Sequence, residues 1–119
     1  MKIPKHPTLI RRMRDARVRK LVPRGPVLAG SLVQIAKHCG RSGCHCQQGE
    51  KHVGWYLTRP VSGKTQTTYV PLALLEEVQG WIQEYRRLKT LTAEISQLNR
   101  ELIRTHVAHS RRQVTKSSP

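Results

Sequence analysis

Cys39-Gly-Arg-Ser-Gly-Cys44-His-Cys46-Gln-Gln-Gly-Glu-Lys-His52 is the stretch on which the reading of the fold turns. All three cysteines of the chain fall within eight residues, and the pattern with the following histidine is C-x4-C-x-C-x5-H. Zinc takes four thiolate or imidazole ligands in a tetrahedron, so a closed structural site needs ligands on short, tightly turning spacers. Gly40, Ser42, Gly43 and Gly49 supply such spacers. One Zn2+ per chain is therefore expected at Cys39, Cys44, Cys46 and His52. His38 and His45 are rival fourth ligands, but His38 adjoins Cys39 and His45 lies between two cysteines, so His52 closes the loop best.

Other uses of the three thiols fit less well. A disulfide leaves one cysteine over, and the N-terminus has no apolar secretory segment. A catalytic thiol needs a separately placed base and an orienting group, and no such set is recognisable, so no enzymatic activity is expected. Free structural thiols are the remaining alternative.

The chain has 119 residues, 37% of them hydrophobic and none of them Phe, which allows one small domain with extensions. A core this thin usually needs a staple, and a metal would serve. No apolar run approaches the roughly 18 residues that a membrane span requires, so no membrane partner is expected. Twenty-two Lys and Arg against seven Asp and Glu give a formal charge of +15. Such a surplus points to polyanions, nucleic acid first. Nine of the basic residues lie in the first 24 positions, among them Arg11, Arg12, Arg14, Arg17, Arg19, Lys20 and Arg24.

Residues 1–27 read as a basic arm or helix with a linker. Thr8 is a candidate N-cap for a helix over Leu9–Leu21, with Leu9, Met13, Ala16 and Leu21 as a thin apolar stripe. So many like charges at helical spacing predict a segment frayed by itself that orders on an anionic partner. Residues 28–71 read as a zinc-stabilised β domain. Ser31–Lys37 is a strand leading into the cysteine loop, and Gly54–Val61 and Lys64–Val70 flank Ser62-Gly63 as a hairpin. Pro60 demands an open edge or a bulge where it falls.

Pro71 suits a helix start, and residues 72–108 follow as one long helix. Its apolar stripe is broad over Leu74, Leu75, Val78, Trp81, Ile82 and Tyr85, which suits covering the sheet. It then narrows to the heptad positions Leu88, Leu91, Ile95, Leu98 and Leu102, which suit a helix partner. A homodimer through these five residues is expected; the alternative is that they pack on the N-terminal helix of the same chain. Residues 109–119 are expected to be a disordered tail. The fold class is thus α+β: a three-stranded antiparallel sheet with a Cys3His zinc loop, preceded by a basic helix and followed by a long, coiled-coil-like one.

Gly30-Ser-Leu-Val, Cys39-Gly-Arg-x-x-Cys44-x-Cys46, Gly49-x-x-His52-x-Gly54-Trp-Tyr-Leu, Tyr69-Val-Pro71 and Ile95-x-x-Leu98-Asn99 together resemble a family of small bacterial proteins of uncharacterised activity. Its members tend to be encoded in mobile elements, beside recombinases and transposases. The resemblance covers about residues 28 to 103 and leaves out the basic arm. The family's usual His-Gly-Pro-Tyr is His52-Val-Gly54-Trp55 here, a departure at the local turn that leaves the ligand set intact. The resemblance implies a DNA-related setting and no particular activity.

The combined expectation is a non-enzymatic, zinc-stabilised DNA-binding accessory protein of a mobile element, cytoplasmic and nucleoid-associated, with a recombinase or transposase as a possible partner. Arg11, Arg12, Arg14, Arg17 and Arg19 are the candidate base readers, since an Arg fork pairs with guanine in the major groove. Lys37, Arg41 and Lys51 are expected together on the zinc side, joined by Arg59 and Lys64 if the arm is not the main contact. An RNA- or ribosome-binding protein stacking bases on Trp55, Tyr56 and Tyr69 is the first alternative. A protein adapter for a recombinase, working through the heptad, is the second.

Overall fold

The computed structural model describes residues 1–37 and 52–117, and it is α+β. Its described parts form two compact units, Arg24–Arg86 and Met1–Pro23 with Arg87–Pro119.

In the first unit, β1 (Ser31–Lys37), β2 (His52–Val61) and β3 (Lys64–Val70) form an antiparallel sheet with β2 in the centre. Ser62 at φ 50° and Gly63 at φ 79° make the tight turn between β2 and β3. Two positive φ values in a row match the right-handed twist of the strands they join, as the Ser-Gly pair predicts. Pairing of β2 with β1 ends at Ser31↔Thr58, so Pro60 has only β3 beside it, opposite Thr65. The proline thus falls where the strand is open on one side, as expected. His52-Val-Gly54-Trp55 is the start of β2, with no turn there.

Pro71 is extended at ψ 145°, and a 3-10 turn over Leu72–Leu74 follows before α2 begins at Leu75. The helix therefore starts four residues later than Pro71 suggested. Val78 and Ile82 of α2 pack on Leu57 and Val70 of the sheet, with Leu28, Leu32, Trp55, Leu75 and Trp81 around them. This is the broad stripe covering the sheet, as the pattern predicted. The linker is stitched to α2 as well: Leu28 N donates to Trp81 O at 3.1 Å, and Arg24 N to the Glu84 carboxylate at 2.6 Å.

In the second unit, α1 spans Pro7–Arg19. His6 is its N-cap, its Nδ1 accepting from Thr8 N at 3.2 Å, and Pro7 takes the first helical position. Proline is preorganised for that position and has no N–H to leave unpaired, which moves the start two residues ahead of the expected Leu9. The helix is packed against α2 in this chain. Its apolar stripe is thin but not uncovered: Ile10 is fully buried against Leu98 and Leu102, with Ile3 and Met13 beside them. Burying one such side chain contributes about 2 kcal/mol, enough to tip a marginal helix into place. Of the stretch 109–119 expected to be a tail, residues 109–117 continue α2.

Candidate nucleic-acid interface

The unit built from α1 and the later part of α2 holds fifteen of the twenty-two Lys and Arg and only three of the seven Asp and Glu. Each of the three acids is held by an arginine of the same unit. Arg14 Nε lies 3.0 Å from Asp15, Arg104 Nη1 lies 3.2 Å from Glu101, and Arg17 Nε donates to Glu94. What is left is a strongly cationic pair of helices.

The arginines of α1 divide by face. Arg14 and Arg17 sit on the side of Ile10 and Met13 and turn toward α2, each with a side chain only 23% exposed. Arg14 Nη1 donates to Asn99 Oδ1 at 3.1 Å, while Arg17 reaches Glu94 and the Met13 carbonyl. These two of the candidate base readers therefore hold α1 to α2. Arg11, Arg12, Arg19 and Lys20 are exposed. At helical spacing Arg11, Arg12 and Arg19 occupy the side opposite Ile10, because that is the side the apolar contact leaves to solvent.

A second set of cations lies on α2 and was not singled out from the sequence. Lys89, Arg100, Arg104 and Arg111 are exposed. At about 100° per residue they fall within about 60° of one another, along about 33 Å of helix and on the back of the seam formed by Leu98 and Leu102. Their separations in sequence carry that signal, but it is visible only once one helix is known to run unbroken to Ser117. Arg87 has a different task. Its Nη1 and Nη2 donate to the carbonyls of Lys20 and Val22 at 2.9 and 2.8 Å, placing a cation at the C-terminal end of α1, where carbonyl dipoles favour it.

Among the other candidates, Arg24 is exposed in the linker and Lys37 ends β1. Arg41 and Lys51 lie outside the described residues, as do Cys39, Cys44 and Cys46 of the candidate metal site. His52 is exposed at the start of β2 and pairs with Lys37. The described residues on either side of the segment 38–51 are thus neighbours in the sheet. No group of three metal-ligating side chains occurs among the described residues. Arg59 and Lys64 sit at the hairpin end of the sheet, with Arg59 opposite Gln66 and Val61 opposite Lys64. Seven residues of strand separate Arg59 from His52, roughly 24 Å, so Arg59 and Lys64 do not share one surface with the Lys37 end.

Of the heptad residues, Leu98 and Leu102 are buried by Ile10 within the chain, and Leu88, Leu91 and Ile95 are half-buried. Within the chain α1 thus packs on Leu98 and Leu102, the arrangement named above as the alternative to a second chain. A helix with one apolar stripe fills a two-position seam equally well from either source.

A family model described as "Domain of unknown function (DUF6788)" matches residues 9–80. No curated protein and no solved structure matches the chain. The family match begins within α1, which the resemblance read over residues 28 to 103 had left out, and stops at Gly80, ahead of the Leu88–Leu102 seam. It takes in most of α1, the whole sheet and the first turns of α2, more than half of the chain, and the protein belongs to the DUF6788 family.

Proposed function

We propose that this protein is a non-enzymatic DNA-binding accessory factor whose α1–α2 unit is the phosphate-binding body. The observation that carries this is the segregation of charge: fifteen basic and three acidic residues in the unit built on these two helices, with every acid of the unit already engaged by an arginine. A row of Lys and Arg along a helix neutralises phosphates and releases counterions, which supplies affinity without sequence choice. Arg11, Arg12 and Arg19 on α1 and Lys89, Arg100 and Arg104 on α2 are the contacts. The setting in a mobile element, with a recombinase or transposase at hand, rests on the resemblance of the sequence motifs.

Zinc at Cys39, Cys44, Cys46 and His52, one ion per chain, belongs to the same proposal. Its support is the Lys37↔His52 pair, which brings the two ends of the cysteine segment together at the sheet's end. The ion would brace that end of the sheet.

The test is fluorescence anisotropy with labelled duplex DNA across a salt series. Replacing Arg11, Arg12 and Arg19 together by Ser is expected to weaken binding and to lower the magnitude of the log-log salt slope by about 2 to 3, at about 0.9 per lost phosphate contact. Structured RNA competing better than duplex DNA would overturn the DNA reading in favour of an RNA-binding protein. An unchanged slope would move the binding surface off α1.

A further inference from the structure

The side of the sheet turned away from Val78 and Ile82 has an aromatic centre. Leu57 and Val70 point into the core, so alternation turns Tyr56 and Tyr69 to the other side. The register sets Val33, Tyr56 and Tyr69 in one row across the three strands, with Ile35 opposite Gly54 in the next. The two tyrosine rings meet edge to face, centroids 5.5 Å apart at 63°. A Cβ at Gly54 would stand 3.2 Å from Tyr56 Cε2 and 3.5 Å from Tyr69 Cε2, so both rings lie down over the glycine backbone. Tyr69 is 59% exposed although it is braced on one side by Tyr56.

The surroundings are apolar on one side and polar on the other, without being acidic. Ser31, Thr58 and Thr67 form the row on the hairpin side, and none of the three strands contains an Asp or a Glu. A braced, exposed ring beside hydroxyl groups, on a sheet without carboxylates in a chain of charge +15, suits a ligand with flat apolar faces strung on an anionic backbone. Trp55 has no part in this, since it packs into the core on the opposite side.

We infer that this face binds single-stranded DNA, stacking an unpaired base on Tyr69 while Tyr56 holds the ring in place. The inference rests on the DNA-binding reading above for long-range attraction, and it adds a preference for unpaired strands that the cationic helices do not supply. A duplex presents no free base face, so the sheet contributes nothing to duplex binding.

The experiment uses the full-length protein with labelled oligo(dT), oligo(rU) of the same length and a duplex, by fluorescence anisotropy at one salt concentration. Tyr69→Ala is expected to weaken oligo(dT) binding roughly ten-fold, in the range that ring removal gives at stacking sites, and to leave duplex binding unchanged. Tyr69→Phe keeps the ring and is expected to bind as the wild type does. Tyr69→Leu keeps apolar bulk beside Tyr56, and is expected to lose as much as Tyr69→Ala. Unchanged oligo(dT) binding by Tyr69→Leu, or an equal loss on the duplex, overturns the proposal; tighter binding of oligo(rU) than of oligo(dT) overturns DNA as its ligand. Failure of the wild type to bind duplex while oligo(dT) binding still depends on Tyr69 would sink the helical phosphate body and leave the stacking face standing.

Discussion

Gly30 and Gly80 show how differently one residue type behaves in one chain. Gly30 is at φ 140°, and a Cβ there would come within 2.8 Å of Leu57 Cδ1 and 3.0 Å of the Thr58 carbonyl. Both the backbone angle and the space exclude a side chain where the linker enters β1. Gly30→Ala is expected to lower stability by about 1 to 3 kcal/mol, read from the midpoint of urea unfolding. Gly80 lies within α2, and a methyl group there would have no neighbour within 4 Å outside the helix's own backbone. Gly80→Ala is expected to raise stability by up to about 1 kcal/mol, because alanine loses less backbone entropy in a helix. Opposite signs from the same substitution are the check; a loss at both positions would mean that a neighbour crowds Gly80 after all.

At the scale of elements, α1 is held by one buried side chain and a ring of polar contacts. Ile10 is 0% exposed between Leu98 and Leu102, and Ile10→Ala is expected to cost about 2 to 4 kcal/mol and to raise amide exchange along α1. Arg14 and Arg17 test the division of α1 into a docking face and an open face. Replacing both by Lys keeps the charge but loses the forks to Asn99 and Glu94. Faster exchange in α1 with little change in duplex affinity is the expected result. A large loss of affinity with α1 still protected would return these two residues to the role of base readers.

For the whole molecule, the seam between α1 and α2 links folding to assembly. Removing residues 1–23 uncovers Leu98 and Leu102, so the truncated chain is expected to self-associate at concentrations where the full chain shows less association, as read by sedimentation velocity. Equal association of both chains through the same residues would show that a second copy covers the seam in place of α1. The zinc proposal is tested at the same scale. Protein purified without added metal is expected to contain one zinc per chain. Cys44→Ser should remove the metal and lower the thermal midpoint, while His45→Ala should leave metal content intact. A stable, metal-free wild-type chain would end the proposal.

Residue pattern alone determined the hairpin, the sheet-covering stretch of the long helix and the excess of positive charge. Each is a local property: Ser62-Gly63 supplies the positive φ values its turn needs, and the spacing of Leu75, Val78 and Ile82 sets one face of one helix whatever lies opposite. Tertiary structure decided what covers Leu98 and Leu102 and which arginines of α1 face outward. A seam two positions wide accepts any apolar stripe of matching width, from the same chain or another, so periodicity does not name the partner. Docking of Ile10 chose it, turning Arg14 and Arg17 inward to Asn99 and Glu94 and leaving Arg11, Arg12 and Arg19 to the solvent. The aromatic row on the side of the sheet away from Val78 and Ile82 came the same way, because Tyr56 and Tyr69 become neighbours only through the register of β2 with β3, thirteen residues apart in sequence yet facing each other across one strand pair.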